Sequence, residues 1–154
     1  MANGNGLTIK KIMCPTDLSP GSDEALHYAL ALARAYDAKL IAFHCQPAAV
    51  TNETQDELKT AFEKQLFQRL NVTALALNDW ERVVSHCEDP GASISDYAAA
   101  HSVDLIVMRS RRRPHRAALL GSTAESVCRT APCPVLTVRP EHDFVPVIGV
   151  RRSS

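Results

Sequence analysis

No stretch of the 154-residue chain approaches the roughly eighteen consecutive apolar residues that a membrane-spanning helix requires. The opening Met1-Ala2-Asn3-Gly4-Asn5-Gly6 has neither a basic start nor an apolar run, so neither a signal peptide nor a membrane span is expected, and the expected location is the cytoplasm. Net charge is also missing. Seventeen basic residues balance seventeen acidic ones, which leaves no overall field to select nucleic acid or a membrane surface, so any charge-driven binding must be local. The five cysteines, Cys14, Cys45, Cys87, Cys128 and Cys133, are odd in number and show no CxxC spacing, which argues against a disulfide framework and a zinc site. Cys14, Cys45 and Cys87 close apolar, strand-like runs, where the expectation is a small, buried, reduced side chain.

What is present is an alternation of strand-like and helix-like segments, the pattern of an α/β protein whose parallel sheet is covered on both faces. The length allows one core, and the division expected is one domain over 7–139 with a tail over 140–154. Strands are expected at 9–14, 39–45, 82–87, 103–108 and 134–138, the fourth almost continuously apolar as a doubly buried strand should be. Ser19 and Pro20 signal the start of a first helix whose apolar stripe is Ala25, Leu26, Ala29, Leu32, Ala33 and Tyr36. A second helix is expected over 53–70, with Leu58, Ala61, Phe62 and Leu66 on one face. Its continuation through 71–80 fits either a frayed helix or a loop. A third helix follows Asp89-Pro90-Gly91, and a fourth follows Gly121.

In an open parallel sheet, ligands gather beyond the carboxyl ends of the strands, where the strand order reverses. Three segments are candidates for that place: Cys14-Pro15-Thr16-Asp17, Cys45-Gln46-Pro47, and the loop 109–116. Gly121-Ser122-Thr123 opens the fourth helix, and unpaired N–H groups at a helix start favour an anion. Ser122 and Glu125 are also spaced for a capping box, which would use those groups internally. Asp17 has a similar alternative, since an aspartate after a strand often only organises the turn.

The least ordinary feature is the loop 109–116, which holds five of the seventeen basic residues, all arginine. Guanidinium groups suit phosphate or an acidic partner, although the run also fits a solvated loop paired with surface carboxylates. Nucleic acid is not the expected partner, because no aromatic residues interleave the run. No metal-ligand cluster and no nucleophile with an adjacent base is recognisable, and the G-x-x-x-x-G-K-S/T phosphate loop is absent. His44 reads as a satisfied core histidine and not as a general base.

With these residues placed, the sequence resembles the universal stress protein family from about residue 9 to 138. The resemblance is carried by Lys11-Ile12-Met13-Cys14-Pro15-Thr16-Asp17-Leu18-Ser19, by Phe43-His44-Cys45, by Asp89-Pro90 with Ile94, and by Asp104-Leu105-Ile106-Val107-Met108. It continues through Leu119-Leu120-Gly121-Ser122-Thr123-Ala124-Glu125-Ser126-Val127 to Ala131-Pro132-Cys133-Pro134-Val135-Leu136. It implies a five-stranded parallel sheet in the order 3-2-1-4-5, like that of the adenine nucleotide α-hydrolases, and a homodimer paired through the last strand. In ATP-binding members, positions matching Pro15, Thr16, Asp17 and Cys45 contact the adenosine part. A loop of the form Gly-x-x-Gly, a nine-residue spacer, then Gly-Ser/Thr wraps the ribose and phosphates.

This chain departs from that pattern, because Arg109 and Arg112 stand at the first two glycine positions and eight residues separate Arg112 from Gly121. Glycine permits positive backbone angles and close approach to phosphate, so the usual cradle is damaged or rebuilt with arginine side chains. The candidate cofactor site is therefore Pro15, Thr16, Asp17, Cys45, Met108, Arg109, Arg112, Gly121, Ser122 and Thr123, with ATP or another adenine nucleotide as candidate ligand. The leading functional reading is a dimeric, stress-responsive regulatory module. The alternative is a nucleotide-independent interaction protein whose arginine loop docks an acidic protein partner, and a slow ATPase has the least support.

Overall fold

A computed structural model describes residues 6–47, 52–70, 79–110 and 121–139. The elements run β1 (Lys11–Pro15), α1 (Pro20–Tyr36), β2 (Lys39–Gln46), α2 (Gln55–Arg69), β3 (Trp80–His86), α3 (Pro90–Ala100), β4 (Leu105–Arg109), α4 (Ser122–Thr130) and β5 (Val135–Val138). The strands form one sheet in the order β3-β2-β1-β4-β5, with every pairing parallel, as expected. The expected continuation through 71–80 lies outside the described residues except for Asp79 and Trp80, the latter opening β3. The tail from 140 onward, with its apolar run Phe144-Val145-Pro146-Val147-Ile148, also lies outside them.

Successive side chains of a strand point to opposite faces, and the core divides accordingly. Ile12, Cys14, Leu40, Ala42 and Val107 join Ala25, Leu26, Ala29 and Leu30 of α1 and Leu58, Phe62 and Leu66 of α2. Met13, Ile41, Phe43, Ile106 and Met108 join Ile94 and Ala98 of α3 and Ala124 and Val127 of α4. The near-continuous apolar strands are thus covered on both sides.

Helix starts follow local chemistry. The Ser19 hydroxyl accepts from the Ser22 N–H, and Pro20 occupies the first turn of α1. Thr54 and Glu57 form a reciprocal capping box at the start of α2, a signal that the sequence reading overlooked. The Asp89 carboxylate accepts from the Ala92 N–H before α3. Two expected stripes are corrected. On α1, Leu30 is buried, whereas Leu32 is partly buried and Tyr36 is 45% exposed, because the buried stripe runs through Ala25, Leu26, Ala29, Leu30 and Ala33. On α2, Ala61 faces solvent, since the buried stripe runs through Leu58, Phe62 and Leu66 at four-residue spacing, with Phe67 partly buried beside it.

The cysteine reading is also corrected. Cys45 and Cys87 form a disulfide, with Cα atoms 5.4 Å apart. A sequence separation of 42 hides the pairing, but β2 and β3 run side by side with Gln46 opposite His86, which brings Cys87 next to the end of β2. Cys14 meets its expectation: it is fully buried, and burial pushes its thiol up to about 12, so it is chemically quiet.

Candidate functional site

The strand order reverses beside β1, because β2 follows on one side and β4 lies on the other. A cavity of about 250 Å³ opens at their carboxyl ends. It is lined by Pro15, Thr16 and Asp17 after β1, by Cys45 at the end of β2, by Met108 and Arg109 at the end of β4, and by Gly121, Ser122 and Thr123 entering α4. Nine of the ten sequence-derived candidates therefore surround one space, and the tenth, Arg112, lies outside the described residues. The lining also includes Ser22, Phe43, Pro90, Ile94 and Ala124. Of these, Ser22 was legible through its position three residues after the Ser19 cap; the others required the packing of α3 and α4.

The segment after β1 is held rigidly. The Thr16 N–H donates to the Phe43 carbonyl at 2.8 Å, and the Thr16 hydroxyl accepts from the Leu18 N–H at 3.0 Å. His44 donates through Nδ1 to the Thr16 carbonyl at 2.9 Å and stacks on Phe62 at 5.3 Å between ring centroids, the satisfied core histidine expected of it. Leu18 adopts a left-handed backbone, φ 61°, which reverses the chain into α1.

Asp17 both organises this turn and lines the cavity. Its Oδ1 accepts from the Ser19 N–H at 3.0 Å and from the Ser22 hydroxyl. Burial would raise its pKa, but the hydrogen bonds from Ser19 and Ser22 and the positive Arg109 outweigh it and hold the carboxyl below its usual range. A carboxylate with a depressed folded pKa contributes stability above its unfolded pKa, and that contribution is lost as pH falls through the folded value. The Asp17 side chain is 51% exposed, so screening limits the contribution to on the order of 1 kcal/mol. Asp17→Asn is expected to lose this amount at neutral pH, with the gap to wild type closing below about pH 4. Urea titrations across pH check the trend; a gap that widens on acidification would show that the carboxylate is strained and not stabilised.

Arg109 is the most constrained charged group of the site. Its Nη1 donates to the Ser19 hydroxyl at 2.7 Å and lies 3.8 Å from Asp17 Oδ2. Its Nε is buried without a hydrogen-bond partner among the described residues. The guanidinium rests directly on Gly21, where an added Cβ would stand 2.5 Å from it, so the glycine in the first turn of α1 makes the room. The positive side chain thus occupies the α1 side of the cavity, opposite the start of α4.

At that start, Gly121 caps the helix with φ 86°, and no side chain of the described residues caps it. The capping box expected from Ser122 and Glu125 is therefore not formed: Gly121, and not Ser122, holds the N-cap position, which shifts both side chains by one place. The helix-start N–H groups thus lack the internal partner that the box would have supplied. An arginine beside a carboxylate on the α1 side of the cavity, together with the Gly121 start of α4, suits a ligand with an apolar or aromatic body and an anionic end.

Residues 8–139 match the universal stress protein family. A universal stress protein of Methanocaldococcus jannaschii is 33% identical over 150 residues, covering 89% of this chain and 85% of that protein. Among solved structures, the universal stress protein UspA from Lactobacillus plantarum is 26% identical with a TM-score of 0.64, over 87% of this chain and all of that one. A family protein from Arabidopsis thaliana with AMP bound is 19% identical with a TM-score of 0.63, over 90% of this chain and 97% of that one. Sheet order, crevice and sequence match agree, and the chain belongs to the universal stress protein family.

Proposed function

We propose that the protein is a nucleotide-responsive regulatory module that binds an adenine nucleotide in the crevice between β1 and β4. The observation that carries this reading is the convergence of Asp17, Arg109 and the uncapped start of α4 on one cavity that Phe43, Ile94 and Met108 line with apolar surface. The apolar part suits the base, and Arg109 with the Gly121–Thr123 turn suits the phosphates. The AMP carried by the structurally similar Arabidopsis protein supports the choice of ligand class. The volume of about 250 Å³ suits a nucleoside, so the phosphates of ATP would lie toward the mouth. The module acts in the cytoplasm by changing its surface when the crevice fills, and not by turnover.

It works as a homodimer joined through β5. Among the described residues that strand is the edge of the sheet, and Leu136 on it is 40% exposed, so a second copy would extend the ladder there. The test is to denature freshly purified protein and identify the small molecules released, with calorimetry using AMP and ATP and sedimentation on the same sample. An adenine nucleotide, saturable binding and a dimer are the expected results. No released nucleotide and no heat with either ligand would sink the nucleotide reading, and a monomer at micromolar concentration would sink the dimer.

A further inference from the structure

Cys45 lines the crevice and is bonded to Cys87, and that bond belongs to no function assigned so far. Cys45 is half-buried and is the one cysteine that lines the cavity. Cys87 is 7% exposed, packed among Ile94 and Val103. It immediately precedes the turn into α3, whose Pro90 and Ile94 form part of the cavity wall. The bond between the two sulfurs therefore ties the β2 wall of the crevice to its α3 wall.

From this geometry we infer that the pair is a site of reversible thiol–disulfide exchange with low-molecular-weight disulfides that enter through the crevice, with Cys45 as the attacking cysteine and Cys87 as the resolving one. Access separates the roles, because a small disulfide reaches Cys45 from the cavity and meets no surface of Cys87 large enough to attack. The backbone is ready for both states. The Cys87 N–H donates to the Gln46 carbonyl at 2.9 Å, and the β2–β3 ladder runs to Gln46 opposite His86, so the two strand ends stay adjacent when the bond opens. The Ser85 carbonyl lies 3.5 Å from Cys87 Sγ and accepts the thiol proton of the reduced form, so a buried donor is not orphaned.

The exchange balances without any further reagent. The Cys45 thiolate attacks one sulfur of R–S–S–R, that S–S bond breaks, and R–S⁻ leaves and takes up a proton. Cys87 then loses its proton and attacks Cys45 Sγ, and the second R–S⁻ departs and is protonated. Two thiols of the protein become one disulfide, two electrons pass to the small disulfide, and two R–SH are formed. The reverse sequence, driven by excess R–SH, restores both thiols. The remaining cysteines stay outside this chemistry: Cys14 has no exposure, Cys128 lies on the outer face of α4, and burial followed by the nearby Asp104 raises the Cys133 thiol.

A ligand filling the crevice covers Cys45, so occupancy slows the exchange. This coupling rests on the adenine-nucleotide reading of the pocket, whereas the exchange does not. The test uses the full chain carrying Cys128→Ser, which removes the exposed thiol. The protein is equilibrated with graded mixtures of glutathione and glutathione disulfide, quenched with acid, alkylated and mapped by mass spectrometry.

Expected is a single transition in which Cys45 and Cys87 lose their thiols together. With Cys87→Ser, Cys45 accumulates the glutathione mixed disulfide; with Cys45→Ser, Cys87 does so at least about tenfold more slowly. A bond that stays closed over the whole range, thiols that never pair, or a faster reaction at Cys87 would each overturn the proposal. Saturating AMP is expected to slow adduct formation on Cys45 in the Cys87→Ser protein about fivefold or more. An unchanged rate with AMP demonstrably bound overturns the coupling. If calorimetry finds no AMP bound in either redox state, the nucleotide reading fails, while a single transition with attack at Cys45 supports the exchange by itself.

Discussion

Phe43→Ala is expected to cost about 3–5 kcal/mol of folding stability, the full range seen when a buried aromatic is truncated. The residue is 1% exposed and sits in β2 between Pro15 of β1 and Val83 of β3. Its ring packs against Tyr97 of α3 at 5.1 Å between centroids, tilted by 52°, and forms part of the cavity floor. Truncation therefore removes transfer energy and aromatic contact together, and the flanking strands hold the backbone so firmly that little collapse can fill the void. A loss of this size is a large share of the 5–15 kcal/mol typical of a domain. Urea titration should show the midpoint falling sharply with the slope unchanged. Leu7→Ala, at a residue 71% exposed, serves as the reference and should shift stability by no more than about 0.5 kcal/mol. A Phe43 effect as small as that of Leu7 would mean that the α3–α4 face of the sheet is not packed as described.

The second large effect concerns binding. Replacing Arg109 with alanine is expected to weaken AMP by at least about tenfold, since a charge-assisted hydrogen bond contributes about 1.5–3 kcal/mol. Adenosine, which has no phosphate, should lose far less, and that difference separates a phosphate contact from a general loss of shape. The guanidinium is well placed for the role because Ser19, Asp17 and Gly21 hold it before any ligand arrives, which reduces the entropy lost on binding. The Asp17 carboxylate offsets its charge, so an incoming phosphate must draw the arginine from one anion toward another. Arg109→Gly, the residue type that the sequence resemblance calls for at this position, discriminates the alternative. Should the glycine variant bind AMP more tightly than wild type, Arg109 is an obstruction and the phosphate reading of this side chain is wrong. Equal affinity for AMP in wild type and both variants would move attention to the start of α4.

Much of this architecture was already legible before any fold was known. Alternating apolar strands and amphipathic helices specify a doubly covered parallel sheet, because each element needs apolar partners on the faces it buries. Ser19-Pro20 and Asp89-Pro90 announce helix starts through strictly local chemistry: a short side-chain acceptor followed by a residue whose missing N–H costs nothing there. The crevice residues that follow strands, such as Thr16 and Asp17, were legible too, since in a parallel sheet all strand ends open on one edge.

Other features depend on distances that no local pattern encodes. Ala61 and Leu30 have the same apolar character, yet only Leu30 meets the sheet, because the stripe that counts is set by where each helix docks. The Ser122–Glu125 spacing fits a cap, but the chain enters α4 through Gly121 at positive φ and leaves the box unformed. Arg109 read as part of an arginine run suited either to phosphate or an acidic partner or to solvent; lying beside α1, it turns inward onto Gly21, eighty-eight residues earlier in the chain. Cys45 and Cys87 share no motif and meet only because β2 and β3 are neighbours in the sheet. The sequence determined which segments become strands and helices, since those choices rest on neighbours a few residues away. Only the tertiary structure decided which side chains face one another across the crevice, because strand order and helix docking set those separations.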